Sequence, residues 1–250
     1  MIIQGVTLNG VTVTDTRYVT ANLQYYLDAG KTTSYSGSGT SINNIANTAI
    51  STSTLANGPV FTSAGSNSYF TFDGSNDTLY TPSMISLFNS PVNNNLTLEA
   101  WVYTSSDNGV VVTEQGASPI NSGWHDSQIE IVSGNLRVSV WTPSGISPLT
   151  IGAVTRNQWQ QYVLTYDSAT STLRGYINGS TTASLTGVSR DSPQEGFASE
   201  LYYALMCADG TSLGDGSSLA GRWSIFRVYN RALSAAEVLQ NYNAEVGRYS

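Results

Sequence analysis

"FRVYNRALSAAEV", residues 226–238, turns a strand into a helix within a few positions, and that junction decides the fold. "FRVY" has the aromatic and β-branched content of a strand end. Ser234 reads as an N-cap with Glu237 at N3, a capping box in which each side chain satisfies the other's orphan backbone N–H. Leu233 and Val238 take the positions of a hydrophobic staple. Val238, Tyr242 and Val246 recur at i, i+4 and give the helix one apolar face. A last strand thus hands the chain to a short structural helix, expected to pack at the edge of a sandwich built by the strands before it.

Those strands are legible further upstream. "YFTFDGSND" (69–77), "NLTLEAWVYT" (95–104), "GVVVTEQG" (109–116), "SQIEIVSGNLRVSVW" (127–141) and "WQQYVLTYDSATSTLRGYING" (159–179) are apolar runs separated by Gly/Asn turns. This spacing reads as an all-β sandwich rather than as βαβ units. Residues 30–58 are Ser/Thr/Asn-rich and read as a long loop in front of the sandwich. Residues 1–21 alternate apolar and Thr/Asn positions and read as an extended arm or assembly strand. One large β domain over 22–250 follows, with no fixed-period repeat.

Composition excludes several classes. Only 11% of the 250 residues are charged, the net charge is −7, and Lys31 is the one lysine. Without a basic stripe, nucleic acid is not an expected partner. The single cysteine, Cys207, forms no internal disulfide and reads as a small buried hydrophobe. No apolar run reaches the length of a membrane helix, so no membrane insertion is expected. The start has neither a basic n-region nor an apolar h-region, so synthesis without Sec export is expected.

"YFTFDGSNDTLYTP", "NLTLEAWVY", "NQWQQYVLTYDSATSTLRGYINGSTTAS" and "FRVYNRALSAAEV" together resemble, in order and spacing, the laminin-G-like (concanavalin A-like) jelly-roll domains. The resemblance covers about residues 22–246. It implies two curved antiparallel sheets, commonly sugar, protein or calcium binding, and usually no catalysis. The front segment "LQYYLDAGKTTSYSGSG" resembles jelly rolls carried by tailed-phage structural proteins. That likeness implies a virion surface protein assembled in the host cytoplasm, a capsid decoration or a tail-associated adhesin. Residues 1–21 would then join it to other virion proteins or to copies of itself. A cellular carbohydrate-binding or adhesion module and a glycan-cleaving enzyme stay open beside it.

The hairpin 124–141 carries the most informative polar pattern. Period-2 alternation puts Ile129 and Ile131 on one face and Asp126, Gln128 and Glu130 on the other. Leu136, Val138 and Val140 face the core, leaving Arg137, Ser139 and Trp141 outward. With Ile131 opposite Leu136, Glu130 meets Arg137, Gln128 meets Ser139 and Asp126 meets Trp141. With Trp124 this makes a flat face of carboxylate, amide, guanidinium and indole, suited to a glycan, or else an ordinary solvated sheet face.

Catalysis is not expected from the same residues. A retaining glycosidase needs carboxyls about 5–5.5 Å apart. Asp126 and Glu130 are four positions apart, roughly 13 Å along a strand, with untitratable Gln128 between them. His125 has no nucleophile elbow to serve. "GKTT" (30–33) lacks the first glycine of a phosphate loop, since residue 25 is Tyr.

"FDGSND" offers Asp73, Asn76 and Asp77 as hard oxygen ligands for Ca²⁺, or an Asp-Gly turn whose carboxylates bind backbone N–H groups. Asp209 and Asp215 share that ambiguity. The resemblance implies an acidic pair before the final strand, but Ser224 and Ile225 stand there, which weakens a family-type calcium site. Trp101, Trp159 and Trp223 read as packing residues.

Overall fold

The computed structural model describes residues 6–8, 11–13, 17–88, 94–116, 125–191, 200–207 and 218–249. β1 (Val6–Leu8) and β2 (Val11–Val13) form a hairpin of their own. β3 (Leu23–Asp28) enters the sandwich, followed by β4 (Ser41–Ile42), β5 (Ser53–Ala56), β6 (Val60–Thr62), β7 (Tyr69–Asp73) and β8 (Thr78–Tyr80). After one helical turn, α1 (Ile85–Phe88), come β9 (Leu96–Tyr103), β10 (Gly109–Gln115), β11 (His125–Val132) and β12 (Asn135–Val138). A minor hairpin, β13 (Trp141–Thr142) with β14 (Gly145–Ile146), precedes β15 (Leu149–Ala153). The chain continues through β16 (Trp159–Asp167), β17 (Thr172–Ile177), β18 (Ser180–Thr186), β19 (Tyr202–Leu205) and β20 (Ala220–Tyr229) to α2 (Ala235–Glu245).

Two antiparallel sheets face each other. The front sheet runs β15-β12-β11-β10-β19-β8-β5-β4, and the back sheet β18-β17-β16-β9-β20-β7-β6, with β3 also paired to β20. Leu98, Ala100, Val102, Phe226 and Val228 from the back meet Val112, Ile129, Ile131, Leu136 and Val138 from the front in one buried core. Gly175 lets the edges close, because a Cβ there would overlap the side chain of Ile151 on β15. The all-β sandwich read from the turns and apolar runs, with the jelly roll that the resemblance implies, is the architecture observed.

Two expectations need correction. Residues 30–58 are not all loop: β4 and β5 lie there and extend the front sheet, anchored by buried Ile42 and Leu55. Two core side chains are enough to recruit a Ser/Thr-rich segment, since Thr fits a pleated surface. The C-terminal helix does not sit at the sandwich edge. β20 lies inside the back sheet, between β9 and β7, and α2 covers that sheet's outer face. Tyr242 stacks on Trp101 with ring centroids 5.7 Å apart, while Val238 packs with Val163, Tyr176 and Leu233.

This cover explains why β9 and β20 are buried on both faces. It also takes in residues 17–21: the Val19 N–H donates to Asn241 Oδ1 (2.8 Å), and Tyr229 Oη donates to the Val19 carbonyl (2.9 Å). The capping box is formed. Ser234 Oγ accepts from the Glu237 N–H, and Glu237 accepts from the Ser234 N–H (2.9 Å). Arg231 donates to both Glu237 carboxylate oxygens (2.8 and 2.7 Å), chiefly holding that carboxyl at a pKa of about 2. Ser234→Ala is expected to lower stability by about 1 kcal/mol, read as a lower urea midpoint with unchanged slope. An unchanged midpoint would show that the packing of α2, rather than its cap, holds the helix.

Candidate functional site

β11 and β12 meet in the register read from the sequence: Ile129↔Val138, Glu130↔Arg137, Ile131↔Leu136 and Val132↔Asn135. Ser133 (φ 48°) and Gly134 (φ 73°) make the two-residue turn, both left-handed as a primed hairpin turn demands. Arg137 Nε donates to Glu130 Oε1 at 2.7 Å. To this point alternation holds.

It fails one residue later. Between β10 and β11 the register passes from Val110↔Glu130 to Val112↔Ile129 and then to Thr113↔Ser127, so Val111 and Gln128 are each bulged. A bulge inserts an unpaired residue and reverses the facing of everything beyond it. Asp126 accordingly lies opposite Glu114, which in turn lies opposite Tyr203. The Tyr203 ring packs edge-on against Phe226 of the back sheet, so this is the inward side of the front sheet. Asp126 therefore points into the sandwich and not outward as alternation predicts. Gln128 follows it, donating through Nε2 to Asp126 Oδ2.

The predicted flat patch is thus not one accessible surface. Asp126, Gln128, Glu130 and Ser139 are all buried, and Ser139 Oγ bonds the Ser127 carbonyl. Arg137 and Trp141 are half-buried, and Trp124 lies outside the described residues. Trp141 belongs to the minor hairpin β13–β14, so it does not oppose Asp126.

What the bulges create is an interior polar cluster. Arg190, fully buried, donates through Nη2 to Glu114 Oε2 (2.8 Å) and lies over the Phe88 ring (5.1 Å). Tyr203 Oη donates to the same Glu114 oxygen (3.0 Å). Among the described residues, buried Asp126 Oδ1 and Gln128 Oε1 have no hydrogen-bond partner. Burial first, then the Glu114 charge, push the Asp126 carboxyl well above the usual carboxylate range.

In "FDGSND" the carboxylates are engaged by backbone. Asp77 Oδ2 accepts from the Asp73 N–H (3.0 Å) and Asp73 Oδ1 from the Ser75 N–H (2.8 Å). The Asn76 carbonyl accepts from Asn57 Nδ2 (2.8 Å). Among the described residues no cluster of three or more His, Cys, Asp or Glu side chains could hold a metal. Asp209 and Asp215 lie outside the described residues.

A second polar network, missed in the sequence, lies under α2. Glu99 Oε1 accepts from Arg227 Nη1 (2.9 Å) and Gln161 Nε2 (3.0 Å), and its Oε2 from Asn241 Nδ2 (2.7 Å). The Arg227 guanidinium lies over the Tyr18 and Tyr26 rings, 4.4 and 4.5 Å from their centroids, and also bonds Glu245. Arg248 grips Asp28 through both Nη atoms (2.9 and 2.8 Å). Burial raises the Asp28 carboxyl, but the Arg248 bonds, Tyr26 Oη and the Gly30 N–H outweigh it and hold it below its ordinary value. Beside this network a cavity of about 340 Å³ opens between Arg17, Tyr18, Lys31, Ser66, Glu245 and Arg248.

The matched family fits this architecture. The family model described as concanavalin A-like lectin/glucanases superfamily, of laminin-G type, covers residues 72–239. The chain belongs to this superfamily. No curated protein matches it. As a superfamily member it is similar to the receptor-binding domain of botulinum neurotoxin C/D mosaic serotype, with 14% identity and a TM-score of 0.63 over 91% of this chain and 52% of that one. It is also similar to a Trypanosoma rangeli sialidase in complex with sialic acid, with 15% identity and a TM-score of 0.62 over 100% of this chain and 36% of that one. The binding domain of botulinum neurotoxin DC, in complex with rat synaptotagmin II, gives 11% identity and 0.63 over 90% and 52%. The chain thus spans about half or less of these structures, and at such identities the likeness concerns the fold.

For a lectin/glucanase jelly roll the facing of the β11 acids is the telling detail. Glu130 and Asp126 occupy opposite sides of the front sheet, so they do not converge on one substrate bond. Both are buried: Glu130 is paired with Arg137, and Asp126 is bonded by Gln128.

Proposed function

We propose that this jelly roll is a noncatalytic recognition domain, a virion surface protein of a tailed phage that presents a glycan-binding sandwich. The observation that carries the reading is the separateness of β1–β2: the hairpin pairs with itself and belongs to neither main sheet. Its register is Val6↔Val13, Thr7↔Thr12 and Leu8↔Val11. A two-stranded ribbon this short is marginal alone, so it favours a partner to pack on. The opposed facing of Asp126 and Glu130 supports the absence of catalysis. Repetition on a particle would raise the avidity of a weak glycan site.

The test is a truncation of residues 1–16, which spares Tyr18 and Val19. Particles assembled with the truncated chain are expected to lack it, while its glycan-array profile matches that of the full chain. Incorporation that survives the truncation defeats the attachment role. Release of reducing ends by the full chain, lost in Glu130→Gln, defeats the noncatalytic one.

A further inference from the structure

We infer that the cavity beside α2 binds the carboxylate of an acidic saccharide unit. This rests on the recognition reading above and gives it a ligand class and a place. The sequence offers few cations, ten Lys and Arg in all, against a net charge of −7. Three of them, Arg17, Lys31 and Arg248, line this one cavity.

The two carboxylates that share the cavity are already engaged. Asp28 is held by Arg248, and Glu245 by Arg227 and Arg248. Lys31 is different: it is exposed, and among the described residues its ammonium has no carboxylate partner. It lies 6.0 and 5.8 Å from the Tyr18 and Tyr26 ring centroids. An unpaired ammonium beside aromatic rings at the mouth of a cavity is a receptor for an anion carried on a partly apolar body.

Two features select a sugar carboxylate over a free phosphate. Tyr18 lines the cavity and gives an aromatic surface for the C–H face of a sugar ring, for which phosphate has no use. Ala244 and Glu245, at the C-terminal end of α2, also line it, and the negative end of the helix dipole opposes a dianion more than a monoanion. The volume of about 340 Å³ accommodates a single sugar ring.

The full chain would be titrated with methyl β-glucuronide, methyl β-glucoside and inorganic phosphate, following backbone amide shifts by NMR. The glucuronide should bind, the other two at least ten-fold more weakly. Lys31→Gln should weaken glucuronide binding roughly ten-fold, and Lys31→Arg should restore most of it. Lys31 is exposed, so neither variant should disturb folding. The proposal is overturned if the glucoside or phosphate binds as tightly as the glucuronide, or if Lys31→Gln binds like wild type. An array on which Lys31→Gln keeps the wild-type profile defeats this cavity but leaves the recognition reading standing. An array blank for wild type defeats the recognition reading, while the glucuronide titration still decides the cavity.

Discussion

Arg227→Met should lower stability by about 3–5 kcal/mol, because it leaves the Glu99 carboxylate buried without its guanidinium partner. Both side chains are completely buried, so water cannot replace the lost bond. The same change removes the cation over the Tyr18 and Tyr26 rings and the Arg227 bond to Glu245. At about 2–4 °C per kcal/mol for a chain of this size, the melting temperature should fall by about 6–20 °C. Adding Glu99→Gln should recover part of the loss, because the stranded charge is then gone. A single variant within 1 kcal/mol of wild type would mean the network contributes little to holding α2 on the sheet.

Asp126→Asn should act in the opposite direction. The folded state raises the Asp126 pKa, so folding favours the protonated form. The stability that this proton contributes is fully present below the ordinary carboxylate pKa and is lost as pH rises through the folded-state value. The contribution of Asp126 should therefore fall from pH 4 upward, and Asp126→Asn should remove that fall from the difference between the two melting curves. At pH 8 the variant should melt several degrees above wild type, and at pH 4 the two should nearly coincide. Thermal melts across this range decide it: a variant less stable than wild type at pH 8 would show that the Asp126 charge is satisfied in the fold.

The two variants mark where the sequence stops being readable. The Ser234/Glu237 cap, the staple and the Glu130–Arg137 pair were all legible, because each depends on neighbours within a few positions or across a tight turn. Facing was lost at Gln128, where paired bulges on β10 and β11 leave no glycine to announce them. Alternation reads every residue past such a point on the wrong side. On β9, Glu99 and Trp101 carry an ordinary outward pattern, and they are covered by α2 and Tyr249, folded back from more than 130 positions away. The cavity at Lys31 gathers residues 17–18, 28, 30–31, 66, 244–245 and 248, so no local motif could signal it.

The position of β20 bears on how the protein is made. A ribosome delivers β3, β7 and β9 long before β20, yet each of the three bonds to β20 in the finished sheet. The back sheet is therefore in pieces until β20 is synthesised, and its closure waits on that strand. Until then the apolar edges of β7 and β9 are open to other nascent chains, the exposure that makes non-local β topologies slow and aggregation-prone. A stop codon a few codons before residue 220 would leave β3, the β6–β7 pair and the β9–β16–β17–β18 half of the back sheet with no strand to join them.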